Sequence, residues 1–298
     1  LFALPPGFAG WARIRSVVTG ESPPARHPQP MAAYAVAEVD PASHPFAVSA
    51  AFGIEAQPAA PASPTLFVPL WRAGQVVGAT ALDTRIAVAN PGAAPIDVTV
   101  TFRRSPQADT CPTVGGGWST TTSFALPAGG SRLLDQDPLA SGLPPDCFGS
   151  AVIEVDPPSG RVVAAVIDET EQQAGPTLIS AFNAPPSTSA ATRVALPLYR
   201  RNWAGLTTGI QVVNVGDAAV TADVTFVPAV GGGGPVTVSR PIAARDSANW
   251  WPGSLPTVPD GTYGSAVVTA TGPVVVLVND YPLADGLDPA TYLGLASP

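Results

Sequence analysis

The chain offers few residues able to do chemistry, and they are scattered. His27 and His44 are its two histidines. They stand among Pro23, Pro24, Pro28, Pro30 and Pro45. A nucleophile–base pair needs a third group to orient the base, and no Gly-x-Ser-x-Gly elbow accompanies them. Both read as loop side chains. Zinc requires several Cys or His ligands at close spacing; two distant cysteines and two distant histidines do not supply it. Oxygen ligands are better represented. Asp168, Glu169 and Glu171 follow one expected strand, and Asp280, Asp285 and Asp288 follow its counterpart. Calcium takes such ligands from flexible loops, so these residues form a weak calcium candidate. Their spacing matches no calcium loop. Asp168 and Asp280 hold equivalent places, which points to a shared role in the fold, such as capping loop amides. The glycine runs 115–117 and 231–234 lack the Lys-Ser/Thr and helix of a phosphate cradle; they read as hairpin loops.

Aromatic residues give a second kind of site. Trp250 and Trp251 adjoin Asn249, and Trp203 follows Arg200, Arg201 and Asn202. Flat rings stack on sugars. Trp71 and Tyr199 recur beside arginines at equivalent places, which favours packing at a junction between domains or subunits. Glycan contact by Trp203, Trp250 or Trp251 is the alternative.

The elements that must position these residues are strands. In 96–103, Val98, Val100 and Phe102 form one face, and Asp97, Thr99, Thr101 and Arg103 the other. Period two marks a half-buried strand. Strands are expected at 66–72, 84–90, 96–103, 119–126, 131–135, 149–155, 162–167 and 177–182. A second series falls at 193–200, 208–214, 220–227, 235–241, 263–270, 274–280 and 291–295. Pro-Gly, Gly-Gly and Pro-Pro turns separate them, and no stretch holds a helical period.

The two series are copies. Gly149-Ser150-Ala151-Val152-Ile153 returns as Gly264-Ser265-Ala266-Val267-Val268, and Pro69-Leu70-Trp71-Arg72 as Pro197-Leu198-Tyr199-Arg200. Val98 to Phe102 returns as Ala222 to Phe226. Residues 65–185 and 192–298 therefore read as two β-sandwich repeats. Residues 1–60 match only the back half of the unit and read as an incomplete domain, whose missing half is removed or supplied by another chain. Proline-rich linkers at 57–64 and 184–191 predict semi-rigid joints and domains strung end to end. Cys111 and Cys147 both belong to the first repeat. In the second, Thr262 stands for Cys147 and the shorter loop has no cysteine. A Cys111–Cys147 disulfide is expected, which places the chain in an oxidising compartment.

The strand Gly209-Ile210-Gln211-Val212-Val213-Asn214, the Val98–Phe102 strand and the pair 264–268 and 273–280 resemble the immunoglobulin-like tandem repeats of bacterial secreted and cell-surface proteins. The resemblance implies all-β sandwiches and surface display or adhesion rather than a reaction.

Composition narrows the classes further. The 298 residues carry a net charge of −8 and only 12 % charged residues, with 36 prolines and no lysine. Without a basic patch, nucleic acid is not an expected partner. No apolar run reaches the ~18 residues of a membrane helix. Sparse titratable groups argue against an enzyme. The expectation is a secreted or cell-surface structural protein without cofactor. It would join copies of itself or another surface protein in a filament or similar assembly, through completion of the N-terminal half domain. A glycan-binding adhesin or accessory module, or a non-catalytic subunit of a larger surface complex, is the alternative.

Overall fold

The computed structural model describes residues 34–37, 52–55, 62–77, 80–108, 111, 119–134, 143–172, 178–231, 233–282 and 290–296. Their regular structure is β-strand, apart from two three-residue 3-10 turns at Ser187–Ser189 and Pro252–Ser254. The all-β expectation holds. No helix among the described residues is long and apolar enough to cross a membrane.

β1 (Tyr34–Ala37) and β2 (Phe52–Glu55) pair antiparallel as a two-stranded sheet. Nine strands follow: β3 (Thr65–Ala73), β4 (Gln75–Val77), β5 (Thr80–Ala89), β6 (Ile96–Arg104), β7 (Ser119–Leu126), β8 (Ser131–Leu134), β9 (Cys147–Asp156), β10 (Val163–Gln172) and β11 (Leu178–Asn183). One sheet runs β3-β9-β6-β7. The other runs β11-β10-β5-β4, with β8 also on β5. Their facing sides share one core. Leu66, Val68, Val98, Val100, Phe102 and Ile153 come from the first sheet, and Ile86, Val88, Ala164, Val166 and Phe182 from the second. Period-two alternation does this directly, because every second side chain of β6 is buried. Each such side chain stabilises the fold by about 1.5–3 kcal/mol relative to exposure.

The remaining strands are β12 (Ala191–Arg201), β13 (Leu206–Asn214), β14 (Val220–Val230), β15 (Val236–Ile242), β16 (Ser247–Trp250), β17 (Thr262–Pro282), β18 (Ala290–Leu293) and β19 (Leu295–Ala296). Order β15-β14-β17-β12 follows the same pairings as β7-β6-β9-β3. β13 takes β16 and β17 as β5 takes β8 and β10. The expected strands 263–270 and 274–280 prove to be one. β17 is 21 residues long, pairing β12 and β14 through its first half and β13 and β18 through its second. Where β9 and β10 are parted by a turn at 157–159, Thr271-Gly272-Pro273 runs straight through.

Three devices recur in both units. Asn90, just after β5, and Asn214, the last residue of β13, are each 0 % exposed and close those strand ends. Asn90 Nδ2 donates to Ala94 O at 2.8 Å and Pro127 O at 3.1 Å while Oδ1 accepts from Gly92 N at 2.9 Å. Asn214 does the same with Ala218 O at 2.7 Å, Ala243 O at 3.0 Å and Gly216 N at 2.9 Å. Gly149 and Gly264 lie where a neighbouring strand passes so closely that a Cβ would stand 1.8 Å from Arg103 O and 2.0 Å from Val227 O. Finally, the ladders β3–β9 and β12–β17 slip register between Val68 and Trp71 and between Leu196 and Tyr199. Each slip holds a proline, Pro69 or Pro197, which has no N–H for the ladder.

Cys111 and Cys147 are disulfide-bonded, as expected, with Cα atoms 4.5 Å apart. Both sulfurs lie in the first core.

Candidate functional site

The proline bulges decide the fate of the recurring aromatics. One extra residue flips the alternation, so that Trp71 joins Leu66 and Val68 in the first core, and Tyr199 joins Val194 and Leu196 in the second. Both are 0 % exposed. Trp71 stands edge-on to Phe102 at 5.8 Å and Tyr199 to Phe226 at 5.1 Å. Trp71 Nε1 donates to Ser150 O at 2.8 Å. Trp250 is also fully buried, its Nε1 donating to Val238 O at 2.9 Å. The sequence reading put these three at a junction or glycan surface; the structure puts them inside the cores instead. Trp203 and Trp251 keep partial exposure.

The acidic candidates separate too. Asp280 is buried, its Oδ2 ion-paired with Arg200 and its Oδ1 accepting from Thr208 Oγ1. Thr208 in turn accepts from Arg200 N at 2.8 Å. Desolvation pushes Asp280 above the usual aspartate range, against the pull of the Thr208 hydrogen bond and the Arg200 charge. Both oxygens are thus turned to protein groups, not to loop amides. Asp168 stands opposite Thr84 in the register of β10 and β5, as Asp280 stands opposite Thr208. Asp168, Glu169 and Glu171 belong to β10 itself rather than to a loop after it. Asp285 and Asp288, like His27, His44 and the glycine run 115–117, lie outside the described residues. Among the described residues no three His, Cys, Asp or Glu side chains gather as a metal site.

Sequence reasoning missed the joint between the two units. Phe67 and Val152, on β3 and β9, pack with Val213 and Val275, on β13 and β17. Leu277 of β17 reaches the first core. The linker expected as an extended spacer is docked: Phe67 N donates to Pro185 O at 2.9 Å, and Ala184 to Pro186 are buried. Polar contacts ring this face. Arg245 Nη1 pairs with Glu154 at 2.7 Å, Asn249 N donates to Gln107 Oε1 at 2.8 Å, and Thr291 Oγ1 donates to Ser180 Oγ at 3.0 Å. The Arg72 guanidinium lies 5.0 Å from the centre of the Tyr281 ring. So the units meet strand face to strand face, not through a bare end-to-end tether. The one available signal was the continuous apolar run 66–71 of β3, a strand buried on both faces along almost its whole length; β13 is buried as fully but carries Thr207, Thr208 and Gln211 among its apolar residues.

Among the described residues an exposed polar and aromatic cluster lies at the 201–206 loop and the 258–263 segment. Trp203 packs on Tyr263, ring centres 4.8 Å apart and tilted by 53°. Asp260 bonds the two residues before Trp203, its side chain 66 % exposed, its Oδ1 held by Arg201 Nε at 3.3 Å and its Oδ2 by Asn202 Nδ2 at 3.2 Å. Arg201 Nη1 donates to Leu255 O and Val258 O. Asn202 and Ala204, with φ of 47° and 50°, flank the tryptophan in left-handed conformations.

No protein-family model matches the chain, and no curated protein matches it. Among solved structures, one likeness is to the crystal structure of Thermotoga maritima 1070, at 18 % identity over 36 % of this chain and 95 % of that one, with a TM-score of 0.32. A superposition that loose does not define a fold.

Proposed function

We propose that the chain is a non-enzymatic extracellular structural protein built from tandem immunoglobulin-like β-sandwich repeats, a subunit of a surface filament or comparable surface assembly. The packed joint carries most of the support. A scaffold must hold its repeats in fixed relation, and here a buried apolar face, a docked linker and flanking polar contacts serve that end. The recurring polar residues serve the fold as well, with Asn90 and Asn214 pinning loops and Asp280 pairing with Arg200. The Cys111–Cys147 bond favours an oxidising compartment.

Assembly is assigned to the N-terminal segment. β1 and β2 pair with each other and with no other described strand. β2 lies beside β11 without joining its ladder; a two-stranded sheet is marginal in water, and an incoming strand from a neighbouring copy or another surface protein would complete it. Such a contact is heterologous and propagates head to tail. Light scattering and negative-stain electron microscopy of the full chain test this. Long oligomers or filaments are the expected result. A monomer that persists at high micromolar concentration overturns it.

A further inference from the structure

We propose that the loop 201–206 and the turn 258–262 form a carbohydrate-binding site, which takes a neutral pyranose ring on Trp203 and reads its hydroxyls with Asp260 and Asn202.

The tryptophans sort themselves by their indole N–H. Trp71 and Trp250 are fully buried and donate to Ser150 O and Val238 O. Trp203 is only partly buried, and among the described residues its Nε1 has no acceptor. It is held as a platform. Tyr263 braces it from one side at 4.8 Å. Trp203 and Leu206 exchange backbone hydrogen bonds at 3.0 Å, and Asn202 N donates to Thr207 Oγ1 at 3.0 Å. These contacts hold the left-handed residues on either side of it, one of them an alanine that ordinarily avoids that region. A partly exposed ring whose N–H has no acceptor among the described residues offers an apolar body and a polar edge, the combination that the CH face and hydroxyl rim of a sugar require.

The polar groups beside it suit adjacent hydroxyls. A carboxylate has about four acceptor positions. Asp260 uses one on each oxygen, for Arg201 and Asn202, and keeps one on each. Asn202 keeps its Oδ1 and a second amide hydrogen. The result is a fork of acceptors and donors, 66 % exposed at the carboxylate. A neutral sugar is indicated because no positive charge is spare: Arg201 faces Asp260 through Nε, and its Nη1 serves two backbone carbonyls.

The test uses the full chain. It is passed over an array of oligosaccharides ending in galactose, glucose, mannose or N-acetylglucosamine, and the best binder is titrated in solution by tryptophan fluorescence. A single ring should bind with a dissociation constant on the order of 1 mM. Trp203→Ala and Asp260→Asn should each weaken binding at least tenfold with circular dichroism unchanged, while Trp203→Phe retains part of it and Trp251→Phe all of it. No retention of any sugar by the native chain overturns the proposal, as does binding that survives both Trp203→Ala and Asp260→Asn. Light scattering on the same variants keeps the two readings apart. A monomer that binds sugar sinks the assembly and leaves this site standing, and a polymer that binds none does the reverse.

Discussion

Arg245, in the turn before β16, reaches across to Glu154 of β9 at 2.7 Å and bonds Asp217 of its own unit at 2.8 Å. These hydrogen bonds, Glu154 first, raise its already high pKa. All three side chains are substantially exposed, so the network contributes at most about 1 kcal/mol. It steers the joint more than it holds it. The strength lies behind it, in Phe67, Val152, Val213 and Val275.

Removing that apolar contact should uncouple the units. Phe67→Ala deletes a side chain 1 % exposed and should destabilise by roughly 3 kcal/mol or more. Because the loss falls on the joint, calorimetry should show the native unfolding transition split in two. Arg245→Ala should leave it single. A Phe67→Ala protein that still unfolds in one step at an unchanged temperature contradicts the coupling.

The recurrent glycines give a cleaner contrast. Gly264→Ala would place a methyl 2.0 Å from Val227 O and 2.9 Å from Ala229 N. Backbone cannot yield as a side-chain tip does, so the loss should be about 1–3 kcal/mol. Gly234 has nothing within 4 Å of its Cβ position, and Gly234→Ala should be neutral or slightly stabilising. Denaturant midpoints for the two variants decide the matter.

This contrast also shows what the sequence could and could not convey. The Gly-Ser-Ala-Val repeat was visible as a repeat, and period-two alternation located nearly every strand. The reason for the glycine was not visible, because it depends on the neighbouring strand passing within contact distance. Trp71 and Tyr199 misled for a related cause. Alternation counted along β3 or β12 breaks at Pro69 or Pro197, where the register slips and the following aromatic turns inward. β16 was passed over because only four residues, Ser247–Trp250, pair there. Of the aromatic candidates, only Trp203 and Trp251 kept partial exposure. The ring partner of Trp203 is Tyr263 on β17, and that of its neighbour Asn202 is Asp260, both beyond any local pattern.

Asn214 should be among the most sensitive polar positions. Asn214→Ala leaves Ala218 O, Ala243 O and Gly216 N without their partner. Each unsatisfied buried group costs about 1–3 kcal/mol, less where water enters the loop. Asn90→Ala should match it in the first unit. Asn214→Asp should be nearly as harmful, since a carboxylate accepts from Gly216 N but repels both carbonyls. Urea melts rank the three.

The disulfide acts on the first unit alone. Its cysteines are separated by 36 positions, a loop whose closure is worth roughly 3–4 kcal/mol in the chain-entropy treatment. Reduction, or Cys111→Ser with Cys147→Ser, should lower the stability of the first unit. In the Phe67→Ala background, where the transitions separate, only one of the two should move. Equal movement of both would mean that the bond's effect is not local.

Alkali should expose the role of Tyr292. Its hydroxyl donates to Leu198 O beside the Pro197 bulge and accepts from Leu198 N at 3.3 Å. Burial pushes its pKa up to about 12, with the Leu198 bond and the Arg200 charge pulling down and the Asp280 charge adding to the rise. Tyr199 is raised as well, by desolvation. The folded state therefore holds phenolic protons that the unfolded state gives up near pH 10. The stabilising contribution is whole below that pH and is lost as pH rises from there through the folded values. Phenolate absorbance should show part of the tyrosine ionising only above the ordinary range, together with unfolding. Tyr292→Phe should lower stability at neutral pH by about 1 kcal/mol, the net worth of a hydrogen bond. It should also flatten the loss between pH 10 and 12. An unchanged alkaline slope in that variant would place the sensitivity elsewhere, with Tyr199 the next residue to replace.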